Sequence, residues 1–173
     1  MTSLTRKICI VGDFAVGKTS TVERFVNNHF SDKYLTTVGV KVDTKAIKFE
    51  EPELTVKLII WDVAGADSFG PKELAYLRGA SAHIFVVDGT RSATAESARK
   101  LRDQIHERYD VKPNVLLLNK SDLRRTWHID DRQIAQLQDE FDTLYVTSAK
   151  TGDNVELALN GLAKQIVAAD LTS

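Results

Sequence analysis

The sequence predicts an α/β fold, a mostly parallel sheet covered by helices on both faces, with one antiparallel hairpin at its edge. Three observations carry this. The runs Ile84-Phe85-Val86-Val87-Asp88 and Val115-Leu116-Leu117-Leu118-Asn119 are uninterrupted and apolar, as central parallel strands are. Helix-period segments alternate with such runs along the chain. Glu51-Pro52-Glu53 separates two strand-like segments, 40–49 and 54–61, and so marks a hairpin.

The elements follow in order. Ile8-Cys9-Ile10-Val11 is short, β-branched and stops at Gly12, the pattern of a buried strand. Residues 18–28 carry Val22, Phe25 and Val26 at helical spacing. Residues 29–39 are polar with scattered aromatics and read as a loop. After the hairpin come a strand at 84–88, a helix over 93–109 and a strand at 115–119. A helix over 130–141, a short strand at 144–146 and a last helix over 154–169 complete the pattern. No Pro-rich or Gly/Ser-rich stretch, repeat or low-complexity tract divides the 173 residues, so one domain, 1–173, is expected.

Composition narrows the function. The chain has 23 Lys+Arg against 24 Asp+Glu, and this balance argues against a general nucleic-acid binder, which needs a clustered basic face. At 43% hydrophobic and 27% charged it has the balance of a soluble globular protein. One Cys excludes an internal disulfide framework and fits a reducing compartment. No apolar run approaches the ~18 residues of a membrane span. The first residues lack the apolar core of a signal peptide, and Thr2 stands where myristoylation needs glycine. His29, His83, His106 and His128 are scattered without metal-ligand spacing. Ser68, Ser97 and Ser148 have no His–Asp partners in sequence, so a hydrolase triad is unsupported. Arg124-Arg125 beside Trp127 reads as a solvated loop rather than a nucleic-acid patch.

Gly12-Asp13-Phe14-Ala15-Val16-Gly17-Lys18-Thr19 matches G-x-x-x-x-G-K-[ST] between a strand and a helix. Such a loop turns backbone N–H groups around a phosphate, and the helix N-terminus adds partial positive charge. Lys18 then reaches the β- and γ-phosphates, and the Thr19 hydroxyl can ligate Mg²⁺. Alone, the motif says only phosphate, and an ATPase or a nucleotide kinase would carry it too. Asp62 follows Leu58-Ile59-Ile60-Trp61 at a strand end, where doubly wound sheets bind ligands, and is a candidate to hold Mg²⁺ through water. Gly65 has no Cβ and can bring its N–H close to a γ-phosphate. Thr37, in the polar loop, could complete the Mg²⁺ shell when the γ-phosphate is present; taken alone it is an ordinary loop threonine.

Asn119-Lys120-Ser121-Asp122 follows directly on a strand. A carboxylate at Asp122 accepts two N–H bonds from guanine, a pair that adenine does not offer. Asn119 would brace the neighbouring loops, and the aliphatic stem of Lys120 can lie across a ring face. Thr147-Ser148-Ala149-Lys150 follows the last strand, and the Ala149 N–H could donate to guanine O6.

Together these motifs, in this order, resemble the Ras superfamily of small GTPases, and its Rab branch in particular. Phe30-Ser31-Asp32-Lys33-Tyr34 with Thr37-Val38-Gly39-Val40 resembles the Rab first switch, and Arg78-Gly79-Ala80 the pattern after the second. The likeness runs over residues 7–166. It implies a P-loop NTPase fold with a six-stranded sheet and five helices, GTP and GDP as ligands, Mg²⁺ as cofactor, and GTP hydrolysis. It implies nucleotide contacts from Asp13, Phe14, Ala15, Val16, Gly17, Lys18, Thr19 and Ser20, from Thr37 and Gly65, and from Asn119, Lys120, Asp122, Ser148, Ala149 and Lys150. Lys18, Thr37 and Gly65 would serve catalysis, and Thr19, Thr37 and Asp62 the metal. Two switch loops, 31–40 and 64–77, would meet effectors, exchange factors and GTPase-activating proteins. A cytoplasmic monomer is expected.

The sequence departs from the family pattern in four places. Ala66 stands where the family has the glutamine that orients the attacking water, and a methyl group makes no hydrogen bond. Slow hydrolysis is expected, unless Asp67 or Ser68 takes over the water. Phe14 sits where the family commonly has Gly or Ser; its ring either blocks an arginine inserted by a partner or points away into solvent. No C-terminal cysteines or polybasic patch follow 168–173, so the chain is either truncated or reaches membranes only through partners. The aromatic effector patch corresponds to Val42, Trp61 and Tyr76, with an aliphatic first position; Trp61 and Tyr76 are either a partner surface or packing beneath the switches.

Overall fold

A computed structural model of the chain describes residues 2–31, 39–65 and 69–172. Six strands, β1 (Thr2–Val11), β2 (Val40–Phe49), β3 (Leu54–Val63), β4 (Ala82–Asp88), β5 (Asn114–Asn119) and β6 (Thr143–Val146), form one sheet. Their spatial order is β2-β3-β1-β4-β5-β6. Every pairing is parallel except β2–β3, the edge hairpin. The helices are α1 (Lys18–Asn27), α2 (Pro71–Ala75), α3 (Ala93–Arg108), α4 (Asp131–Glu140) and α5 (Val155–Thr172), with a 3-10 helix at Ser121–Thr126. The predicted six-stranded α/β architecture is therefore present.

Strand periodicity explains why the central runs are apolar at every position. Ile84 and Val86 of β4, with Val115 and Leu117 of β5, face one core, shared with Val22 and Phe25 of α1 and Leu159 and Leu162 of α5. Phe85, Val87, Leu116 and Leu118 face the other, shared with Ala98, Leu101 and Ile105 of α3 and Leu137 of α4. Both faces of these runs are buried, so their interior positions are apolar and polar side chains fall at the strand ends, His83 and Asp88 in β4 and Asn114 and Asn119 in β5. Full burial of a side chain such as Phe85 contributes roughly 1.5–3 kcal/mol. Cys9 lies in this core, and burial pushes its thiol up to about 12, so it is unreactive packing.

Several bounds differ from those predicted by a residue or more, and three differences bear on the architecture. β1 begins at Thr2 rather than Ile8, because Thr2 to Lys7 pair with Leu54 to Ile59 of β3. In β1 these residues are exposed or half-buried, and Leu4 is their one apolar side chain. β3 runs on to Val63, opposite Val40. Ser121–Thr126, read as loop, is helical, and Trp127 behind it is half-buried rather than solvated. No helix of the described residues is long and apolar enough to cross a membrane.

The parallel register brings the strand ends together. Ile10 sits opposite Asp62, Val11 opposite Phe85, and Asp88 opposite Asn119. Gly12, Asp62, Asp88 and Asn119 thus line one end of the sheet, where ligands bind in open α/β folds.

Candidate functional site

The loop 12–17 leaves β1 and enters α1 through Gly17, whose φ of 105° lies in the left-handed region. A Cβ there would come within 2.2 Å of Asn119 Nδ2, so both conformation and space require glycine. Ala15 is also left-handed, at φ 63°. Val16 is fully buried, Asp13, Ala15 and Ser20 are half-buried, and Phe14 is 51% exposed.

Lys18 is 6% exposed, and its Nζ donates to the carbonyls of Gly12 at 3.0 Å and Asp13 at 2.9 Å. Burial pushes its pKa down to about 8, partly offset by Asp62 and Asp13 and reinforced by Arg91. The ammonium is therefore held at the mouth of a ring of backbone groups, weakly solvated and disposed to meet an anion.

Thr19 Oγ1 donates to Asp62 Oδ2 at 2.5 Å, and Asp62 is fully buried. These hard oxygen donors suit Mg²⁺, which prefers one or two carboxylates or hydroxyls and keeps its waters. Gly65 lies against the loop. A Cβ at this position would fall 2.7 Å from Phe14 N and 2.8 Å from Lys18 Nζ. Thr37 and Ala66 lie outside the described residues, as do Asp67 and Ser68.

Beyond the loop, Asn119 ties three segments together. Its Nδ2 donates to Val16 O at 2.9 Å, and its Oδ1 accepts from Ala149 N at 3.1 Å and Thr147 Oγ1 at 3.4 Å. The Ala149 N–H, expected to face guanine O6, donates to Asn119 here. Asp122 is exposed, and its Oδ1 accepts from the buried Ser148 hydroxyl at 2.7 Å. Ser148 Oγ in turn accepts from Thr151 N at 3.1 Å, so the carboxylate is held in a fixed orientation. Lys150 is exposed, and its carbonyl accepts from Arg24, which also donates to Ala149 O at 2.9 Å.

Sequence reasoning gave no role at this sheet end to Asp88, Arg91, Arg24 or Trp127. Asp88 closes an apolar run at the end of β4 much as Asp62 follows one near the end of β3, a legible signal. Its Oδ2 accepts from Lys120 at 2.8 Å and from Arg91 at 3.0 Å. Burial would raise its pKa, but bonds from Lys120, Thr90 and Arg91 outweigh this and hold it below the usual carboxylate range. Arg24 pins the 149–150 turn from α1. Trp127 packs against the turn at Lys120. Its Nε1 donates to Lys120 O at 2.8 Å, and a Cβ on Gly89 would strike its ring at 2.1 Å.

Trp61 and Tyr76 are both half-buried and packed together, with ring centroids 6.3 Å apart. Lys7 Nζ sits 3.7 Å over the Trp61 ring and donates to Tyr76 O at 2.6 Å. Val42, paired with Trp61 across the hairpin, is 48% exposed.

This arrangement has counterparts. The model of the Ras family matches residues 7–168. Ras-related protein Rab-32A of Dictyostelium discoideum is 36% identical over 174 residues, covering 95% of this chain and 79% of that protein. Rab-7L1 of Rattus norvegicus is 33% identical over 168 residues, covering 93% of this chain and 81% of its own. Against Rab-32B of Dictyostelium discoideum, 33% identical, the chain covers 64% of the relative's length. A family model matched from β1 to α5, and Rab-type relatives sharing a third of its residues, show that this chain belongs to the Ras family.

Proposed function

We propose that the 173 residues form one guanine-nucleotide-binding domain that acts as a switch, binding GTP and GDP with Mg²⁺ and hydrolysing GTP slowly. The observation that supports this most is the meeting of Lys18, the Thr19–Asp62 pair and the Ser148-oriented Asp122 at one sheet end. The Lys18 ammonium and the amides of 13–20 neutralise phosphate charge. Gly65 brings its N–H to the γ-phosphate. Asp122 accepts the two guanine N–H groups, and Asn119, Lys120, Ala149 and Lys150 frame the base. Thr19, Thr37 and Asp62 would hold Mg²⁺, which when bound neutralises charge developing on the phosphate oxygens. Catalysis is then positioning and electrostatics, with no covalent nucleophile. Effectors, exchange factors and GTPase-activating proteins would read loops 31–40 and 64–77.

Slow turnover follows from Ala66, which offers the attacking water no hydrogen bond. In single-turnover hydrolysis of pre-bound GTP with Mg²⁺, Ala66→Gln is expected to exceed the wild type by about tenfold or more. Equal rates would mean that another group orients the water. A second reading, a GTP-bound interaction module with negligible turnover, draws on the Phe14 ring, 51% exposed at the loop rim where a partner's arginine would enter.

The γ-phosphate role of Gly65 has its own consequence. Gly65→Ala overpacks the loop contact at a cost of roughly 1–3 kcal/mol, or about 5- to 150-fold. The loss should fall on a non-hydrolysable GTP analogue more than on GDP, measured by competition against a fluorescent nucleotide. An equal loss for both would remove Gly65 from γ-phosphate sensing.

A further inference from the structure

Two cations meet on the carboxylate of Asp88, and the switch reading gives a task to only one of them. Asp88 is 1% exposed, and its Oδ1 accepts from the Thr90 N–H at 2.8 Å and the Thr90 hydroxyl at 2.7 Å. Its Oδ2 accepts from Lys120 Nζ at 2.8 Å and Arg91 Nε at 3.0 Å. Both cations reach on to consecutive carbonyls of the phosphate loop. Arg91 Nη2 donates to Phe14 O at 2.7 Å, and Lys120 Nζ donates to Ala15 O at 3.0 Å.

Peptide planarity turns these two bonds into a statement about the amides. In a trans peptide the carbonyl of one residue points opposite to the N–H of the next. Pulling the Phe14 carbonyl toward Arg91 therefore turns the Ala15 N–H the other way. Pulling the Ala15 carbonyl toward Lys120 does the same for the Val16 N–H. Between them Ala15 holds φ at 63°, a conformation that costs a residue with a Cβ energy and needs restraint from outside.

We infer that Arg91, anchored on Asp88, is a positioning residue for nucleotide retention: it holds the Phe14–Ala15 peptide so that its N–H faces the bound phosphates. The inference rests on the guanine-nucleotide reading above. Arginine suits the task because its fork spans a carboxylate and a carbonyl at once, whereas lysine offers a single point charge. Sharing Asp88 with Lys120 also links the phosphate loop to the base-reading turn. Loosening either cation frees the carboxylate that fixes the other.

The experiment is release of fluorescent mant-GDP from the full chain in Mg²⁺, chased with excess GDP. Arg91 is exposed, so Arg91→Ala leaves the core intact. It is expected to release mant-GDP about tenfold faster, as loss of a charge-assisted hydrogen bond predicts. Arg91→Lys should fall between the two, and Asp88→Asn combined with Arg91→Ala should release no faster than the more severe single variant. Equal release from wild type and Arg91→Ala overturns this inference alone, and so does full additivity in the double variant. A wild type that retains no mant-GDP overturns the guanine-nucleotide reading along with it.

Discussion

Replacing Asp122 with alanine is expected to weaken GDP binding by about 10² to 10⁴. The carboxylate would accept two charge-assisted bonds from guanine, each contributing roughly 1.5–3 kcal/mol. Asp122 is exposed, but its loss also leaves the buried Ser148 hydroxyl without its acceptor, so the readout is nucleotide affinity and base preference rather than stability. Its orientation is set in advance: Ser148 donates to one oxygen at 2.7 Å and is itself tied to Thr151 N. The other oxygen and the remaining lone pairs are left for the base. The test compares GDP with inosine diphosphate, which lacks the exocyclic amine. Wild type should prefer GDP, and Asp122→Ala should bind both equally weakly. If the variant kept both its affinity and its preference, Asp122 would not be the base-reading residue. Ser148→Ala, which removes only the orienting bond, should give a smaller loss in the same direction.

The phosphate loop was legible because its chemistry is written in consecutive residues, Gly12 to Thr19, between a strand and a helix. Asp62 and Asn119 were legible for a related reason, since each closes an apolar run and the sheet puts all such ends on one edge. The clasp on Asp88 was not, although Asp88 also closes a run. Its meaning depends on the β4–β5 register, which sets it opposite Asn119 and so beside Lys120. No local pattern announces that Arg91 will fold back onto Phe14 O, 77 residues away. Trp127 reads from sequence as part of a solvated loop because its neighbours are charged, while its ring is covered by Arg124 at 4.3 Å and by the Gly89 backbone. The first half of β1 carries no hydrophobic alternation, because Leu4 is its one apolar side chain among polar and charged neighbours.

His83 is expected to make the fold acid-sensitive by roughly 3 kcal/mol. It sits in β4 just before the apolar run Ile84–Val87, is 2% exposed, and neither ring nitrogen has a hydrogen-bond partner among the described residues. Cys9 and Asn114 flank it on the neighbouring strands, and the Phe85 ring lies 6.4 Å away. Burial pushes its pKa from 6.5 down to about 4, helped by the positive fields of His106 and Lys112. The sign follows from proton counting. The unfolded chain takes up a proton at His83 as pH falls through 6.5, while the native chain does so only near 4. Stability carried by the neutral ring is therefore complete above 6.5 and drains away across that window, at up to about 1.4 kcal/mol per pH unit. Carboxylates titrate over part of the same range, so the informative quantity is the difference between wild type and His83→Leu. Urea unfolding should show the variant gaining on wild type as pH falls from 6.5 to about 4, with the gap constant above and below. At neutral pH the leucine should already be as stable or more so, because it removes a buried donor that has no acceptor. A constant gap across the window would mean that the imidazole finds water or a partner in solution and titrates as it does in the unfolded chain.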